Sequence, residues 1–146
     1  MVILAIESSA KTASVAVWKE GGIAAELSVN NTLTHSQTLM PMVEQALEMC
    51  GIQIENVDAF ACNVGPGSFT GVRIGVSTVK ALAHGTSKPC IAINTLDALA
   101  NNIACRGLIV PLMDARCGQV YTAVYNRSDK LELLGGYEAI KLEGFL

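Results

Sequence analysis

The sequence predicts an α/β protein with a mixed sheet and flanking helices, and three observations predict it. Short apolar runs of strand length alternate with apolar stripes at helical spacing. One glycine-rich segment, Gly65-Pro66-Gly67-Ser68-Phe69-Thr70-Gly71-Val72-Arg73-Ile74-Gly75, lies between an apolar strand and a helical pattern, where α/β proteins place their chemistry. The chain has 146 residues, 51% of them hydrophobic, which is enough to bury a core.

Residues 2–6, 13–18 and 23–29 read as strands, and Gly21-Gly22 joins the last two as a hairpin, so the chain opens on an antiparallel meander. Thr34 with Gln37 three residues on makes a capping box. Leu39, Val43, Ala46, Leu47 and Cys50 then share one helical face that ends at Gly51, with Pro41 expected to kink the helix. Residues 57–64 read as a buried strand. Gly65, Pro66 and Gly67 form a structural turn that permits positive φ, and Ser68 or Thr70 caps a helix over 69–85. A strand at 90–93 and a short helix at 95–104 follow. From Gly107 the pattern restarts, with strands at 108–113, 119–125 and 131–137 around the polar turn 114–118. A βββ opening met twice predicts two similar lobes, 1–106 and 107–146, the second unfinished because three strands without covering helices cannot close a layer.

The helix after the glycine turn reads as two-sided. Val72, Val76, Val79 and Ala83 make a seam for the lobe's own sheet, while Gly71, Gly75, Thr78 and Leu82 make a second seam whose two small residues admit a partner helix. Arg73 stands at the positive end of the helix dipole, which is unfavourable unless something anionic is near. Glu7 and Glu44 are the candidate carboxylates within the chain, and an anion on a partner is the alternative.

Several chemistries are disfavoured. A phosphate loop lacks its Gly-Lys-Ser/Thr, and Thr70 stands where the dinucleotide fingerprint needs its third glycine. A Ser68/His84/Asp114 hydrolase has no G-x-S-x-G elbow. The net charge of −3 and the lack of any Lys/Arg run argue against RNA binding by counterion release. Only 16% of residues are charged, a shortage that leaves apolar surface for a partner. Five widely spaced cysteines, Cys50, Cys62, Cys90, Cys105 and Cys117, read as buried free thiols of a reduced, cytoplasmic protein. No targeting or membrane-spanning segment is visible. His35 and His84 read as surface or capping residues, Glu7 as a carboxylate bonding hairpin N–H groups, and Asp114 with Arg116 as a pair across a turn.

Residues Met1-Val2-Ile3-Leu4-Ala5-Ile6-Glu7-Ser8-Ser9, Thr34-His35-Ser36-Gln37 with Met40-Pro41-Met42-Val43, the glycine segment, and Asp114-Ala115-Arg116 with Val120-Tyr121 closely resemble the bacterial TsaB (YeaZ) family, proteins of the glycoprotease-like group. The resemblance implies two lobes of the actin/sugar-kinase/Hsp70 (ribonuclease H-like) fold. It also implies a non-catalytic scaffold for tRNA threonylcarbamoyladenosine synthesis, with a TsaD-like catalytic subunit, a TsaE-like ATPase and a second copy of itself as partners. Under that resemblance tRNA is met only through the complex and no membrane is involved. No metal or catalytic residue is expected, and ATP or ADP only at a partner interface. The family's dimers add Leu39 and Met42 of the first helix to the interface expected for Gly71, Gly75, Thr78 and Leu82. Where TsaD-like chains carry a His-x-x-x-His metal pair, this chain has Thr95 and Leu99, so the metallopeptidase reading is disfavoured. Where they carry an acidic residue in the first hairpin it has Lys11, and where they carry a Ser-Gly-Gly loop it has Asp114-Ala115-Arg116. Both phosphate-binding hairpins therefore read as disabled, and a weak nucleotide-binding enzyme of the same fold is the runner-up.

Overall fold

The computed structural model describes residues 1–30 and 34–144. It divides into two compact units, Met1–Ile93 and Asn94–Leu146.

The first unit is a five-stranded sheet with two helices. Strands β1 (Val2–Glu7), β2 (Ala13–Lys19) and β3 (Gly22–Val29) form the expected antiparallel meander, with Leu4 opposite Val17 and Ile6 opposite Val15. Strand β4 (Ala59–Asn63) runs parallel to β1, pairing Ala5 with Ala61, and β5 (Cys90–Ile93) runs parallel to β4. The spatial order is β3-β2-β1-β4-β5. Period-two alternation on β1 and β2 sends Leu4, Ile6, Val15 and Val17 to one face, where they pack with Phe60 of β4. Helices α1 (His35–Met49) and α2 (Phe69–Thr86) cover this face, contributing Leu39, Val43, Ala46, Val79 and Ala83 to the same core.

The helix ends follow their signals. Gln37 returns its side-chain oxygen to the Thr34 N–H at 3.1 Å in the expected capping box. Pro41 removes one ladder bond without ending α1, which runs on to Met49, with Gly51 in the left-handed region beyond it. Ser68 rather than Thr70 caps α2, accepting from the Gly71 N–H at 3.3 Å. The helix stops at Thr86, where Ser87 takes the left-handed conformation at φ 56°.

The second unit begins earlier than the sequence pattern places it. Its α3 (Thr95–Asn101) sets Leu96 and Ala100 in a core with Ile109, Ala123 and Tyr125, so the units divide after Ile93 and not after residue 106. The helix is also shorter than 95–104. Two of the three expected strands are broken in two and the third is shortened. Strand 108–113 becomes β6 (Gly107–Ile109) and β7 (Leu112–Arg116), because Pro111 between them has no N–H for a ladder. Strand 119–125 becomes β8 (Gln119–Thr122) and β9 (Tyr125–Arg127). Strand 131–137 shortens to β10 (Leu131–Leu133), and after Gly135-Gly136 comes a further strand, β11 (Glu138–Lys141), that the sequence pattern does not place. Two three-stranded sheets result, ordered β10-β9-β6 and β11-β8-β7.

The five cysteines are free, but only Cys62 is buried and Cys50 partly so. Cys90, Cys105 and Cys117 are exposed, correcting the expectation of buried thiols: Cys90 lies on an edge strand, Cys105 beyond the end of α3 and Cys117 at a hairpin tip. Among the described residues no helix is long and apolar enough to cross a membrane.

Candidate functional site

The glycine turn is locked onto the loop that follows β1. Gly65 and Gly67 take φ of 106° and 154°, conformations that side-chain-bearing residues rarely adopt, and the Gly65-Pro66 bond is cis. The Ser68 N–H donates to the Ser9 carbonyl at 2.7 Å, and the Gly71 N–H is held by the Ser68 hydroxyl. A phosphate cradle needs such N–H groups unoccupied. Here two of them are used within the protein.

Gly71 and Gly75 serve the protein's own packing. A Cβ at Gly71 would lie 2.0 Å from the Ser8 carbonyl oxygen, and one at Gly75 would lie 2.3 Å from the Ser8 hydroxyl. That hydroxyl donates to the Gly71 carbonyl at 2.9 Å, so the two glycines form a notch that admits Ser8. The buried seam of α2 is thus Gly71, Gly75, Val79 and Ala83. The partner face expected from Gly71, Gly75, Thr78, Leu82, Leu39 and Met42 is corrected accordingly. Leu39 and Met42 are core residues, and Leu82 packs partly buried against that core. Thr78 turns its hydroxyl back to the Ile74 carbonyl at 2.9 Å.

Arg73 is exposed and meets neither Glu7 nor Glu44. Its guanidinium instead lies over the Phe69 ring, 3.7 Å from the centroid, one helical turn earlier. The Glu7 carboxylate is engaged elsewhere, accepting from the Ser9 N–H as a hairpin bond. The glycine turn is therefore fixed by Ser9, Ser68 and Gly71, and Arg73 is left outward. Charge is segregated over the two helices. Helix α2 has no acidic residue and carries Arg73, Lys80 and His84 exposed, whereas the charged residues of α1 other than His35 are Glu44 and Glu48, also exposed.

Beside this turn lies an open cleft of about 280 Å³. Lys11 and Asn30 enter it from the meander, Thr34 and His35 from the start of α1, and Ser68, Thr70, Gly71 and Ile74 from the start of α2. Two helix N-termini and a lysine favour an anion there. Among the described residues no carboxylate lines it, and His35 has one ring nitrogen engaged, with Nε2 2.9 Å from the Ala10 carbonyl. Ser68 and His84 stand near opposite ends of α2, about 24 Å apart along its axis at 1.5 Å per residue. That spacing removes the hydrolase triad.

In the second unit Thr95 is buried and Leu99 exposed, and among the described residues the Thr95 hydroxyl has no hydrogen-bond partner. Among the described residues no group of three or more His, Cys, Asp or Glu side chains could hold a metal ion. Asp114 accepts from the Arg116 backbone N–H at 2.7 Å, so the pair expected across this turn is not between their charged groups. The tip is bulky, and Arg116, Cys117 and Gly118 take φ of 66°, 53° and 70° in succession. Periodicity gives no sign of Asp97, whose Oδ1 accepts both the Tyr125 hydroxyl at 2.6 Å and the Tyr137 hydroxyl at 2.8 Å. Burial, and then the bond to Asp97, push the Tyr125 phenol well above the usual tyrosine range.

Comparison with known proteins agrees with this architecture. Residues 5–146 match the family described as TsaD, tRNA N6-adenosine threonylcarbamoyltransferase. The chain is 38% identical over 134 residues to the tRNA threonylcarbamoyladenosine biosynthesis protein TsaB of Escherichia coli, covering 88% of this chain and 57% of that protein. It therefore spans under three fifths of that relative's length. The solved structure of YeaZ from Pseudomonas aeruginosa superposes with a TM-score of 0.82 at 32% identity, over 97% of this chain and 68% of the other. A ROK hexokinase from Thermus thermophilus, at 14% identity and a TM-score of 0.56 over 93% of this chain and 49% of its own, shares the fold alone. The first unit is thus an actin/sugar-kinase-like lobe with a mixed sheet, and the chain belongs to the TsaD family, among its TsaB (YeaZ) members.

Proposed function

We propose that this chain is a non-catalytic subunit of tRNA threonylcarbamoyladenosine synthesis, acting in the cytoplasm by docking a TsaD-type catalytic partner. The chemistry of the cleft carries the reading. Transfer of a carbamoyl group or hydrolysis of a nucleotide calls for a metal or a positioned base. Among the described residues the lining supplies Lys11, a carbonyl-bound His35 and hydroxyls, and no carboxylate. The work is assigned to the outer surfaces of α1 and α2, where Met40, Met49 and Phe69 are exposed apolar side chains. A TsaE-like ATPase, a second copy, and tRNA met only through the complex belong to the same reading.

Reconstitution tests it. The expected result is no threonylcarbamoyladenosine formed by this chain with tRNA and the activated donor, and formation that rises when it is added to a TsaD-type enzyme. Turnover by the chain alone overturns the reading. A nucleotide bound at the cleft is the second reading, favoured by Lys11 and the two helix N-termini, and titration with ATP and ADP in the same preparations decides it. Heat of binding that a Lys11→Glu variant abolishes supports that reading.

A further inference from the structure

We propose that the Phe69–Arg73 pair at the start of α2 is an anchor for a carboxylate on the docked protein partner, an Asp or Glu set beside apolar side chains. The inference rests on the docking reading above and deepens it.

Four observations meet at this spot. Phe69 is 68% exposed although it is the largest side chain on α2, so the fold does not use its ring for burial. Arg73 stacks on that ring at 3.7 Å and, among the described residues, enters no ion pair. Arg73 is the fifth residue of α2, beyond its first turn, so its charge is set by its neighbours and not by the helix end. Finally, α2 contains no Asp or Glu that could answer it.

The chemistry of the occupant follows. The ring covers one face of the guanidinium and restricts its rotation, while its N–H edge forms no ion pair among the described residues. That edge matches a carboxylate in two parallel hydrogen bonds. Stacking limits the side-chain entropy lost on docking, and an aromatic next to an arginine is the composition enriched at the centres of protein interfaces. A partner surface closing over Phe69 removes water from the ion pair and strengthens it. Lys80 extends the positive face along the same helix, so the complementary surface is acidic.

The test measures affinity for a TsaD-type partner by titration calorimetry, and self-association by sedimentation, for wild type, Arg73→Glu, Arg73→Lys and Phe69→Ala. Because both side chains are exposed, melting temperatures are expected to stay within about 2 °C of wild type, which separates docking from folding. Affinity should fall at least about tenfold for Arg73→Glu and Phe69→Ala, with Arg73→Lys intermediate because a lysine lacks the fork. A reversed charge on the partner's acidic residue should restore binding to Arg73→Glu. Wild type binding the partner while Arg73→Glu binds equally well overturns the anchor and leaves the docking reading standing. Wild type that does not bind the partner overturns both. A charge reversal that changes only self-association, leaving partner affinity unmoved, also overturns the anchor and gives its place to a second copy through Glu44 or Glu48.

Discussion

Gly71→Ala is expected to destabilise the first unit by about 3 kcal/mol or more, although glycine to alanine inside a helix ordinarily gains about 1 kcal/mol. The new methyl would meet the Ser8 carbonyl oxygen at 2.0 Å, a backbone atom that moves only with the loop after β1. Gly75→Ala is expected to cost less, about 1–3 kcal/mol, because its clash at 2.3 Å is with the Ser8 hydroxyl. The two substitutions therefore separate in the presence of Ser8→Ala. Removing the hydroxyl leaves the Ser8 Cβ at 3.6 Å from the Gly75 methyl, an ordinary contact, so Ser8→Ala/Gly75→Ala should recover most of the loss, short of the hydrogen bond to Gly71 worth about 1 kcal/mol. Ser8→Ala should not rescue Gly71→Ala. Urea unfolding of the five variants checks this, and a Gly75→Ala protein as stable as wild type would refute the notch.

The second large effect belongs to Asp97. Asp97→Ala removes the shared acceptor of two phenols and leaves the Tyr125 hydroxyl, on a side chain 2% exposed, without its partner. The expected loss is about 2–3 kcal/mol from the second unit, most of it the cost of an unsatisfied buried hydroxyl. Tyr125→Phe should cost less, about 1–2 kcal/mol, because donor and phenolic oxygen leave together. The pH dependence has a definite sign. Tyr125 in the folded protein has a raised value, so its contribution is complete below the unfolded tyrosine value near 10 and is lost as pH rises toward the folded one. Over that interval the unfolded chain binds fewer protons, and stability should fall by up to about 1.4 kcal/mol per pH unit. Tyr137 shifts in the same direction, chiefly through its bond to Asp97, but is half-exposed and contributes less. Thermal melts from pH 8 to 11 on wild type and Tyr125→Phe read this difference. Parallel curves for the two proteins would exclude the assignment.

Which parts of this architecture are legible in the sequence depends on how local their causes are. The meander, the two long helices and the glycine turn rest on neighbours within a few residues, as Thr34 with Gln37 and Ser68 with Gly71 do, and the sequence announces them. The side of α2 that faces inward does not announce itself. Two glycines four apart describe a notch without saying what enters it, and the occupant, Ser8, is 63 residues from Gly71. Arg73 shows a different failure. The dipole argument looks for an acid, whereas the aromatic four residues earlier was in plain view and satisfies the guanidinium face without neutralising its charge. In the second unit Pro111 marks a strand break that hydrophobicity alone runs through. The Asp97 group joins residues 28 and 40 apart, beyond the reach of any periodicity.

The central place of β1 sets the order in which the first unit can assemble. One of its edges meets β2 across a short connection, while the other meets β4 only after a loop in which Val2 and Asp58, 56 positions apart, are brought together. Closure entropy rises with the logarithm of loop length, and contacts between distant residues slow folding more than they weaken the final state. The hairpin ladders therefore form on the fast timescale of local pairing, and the parallel half of the sheet waits for α1 to bring β4 alongside. During that wait the free edge of β1 is a row of unpaired backbone groups, open to whichever strand arrives first. In a cell its neighbour β4 is synthesised some fifty residues later, so this edge stays open while the intervening chain emerges.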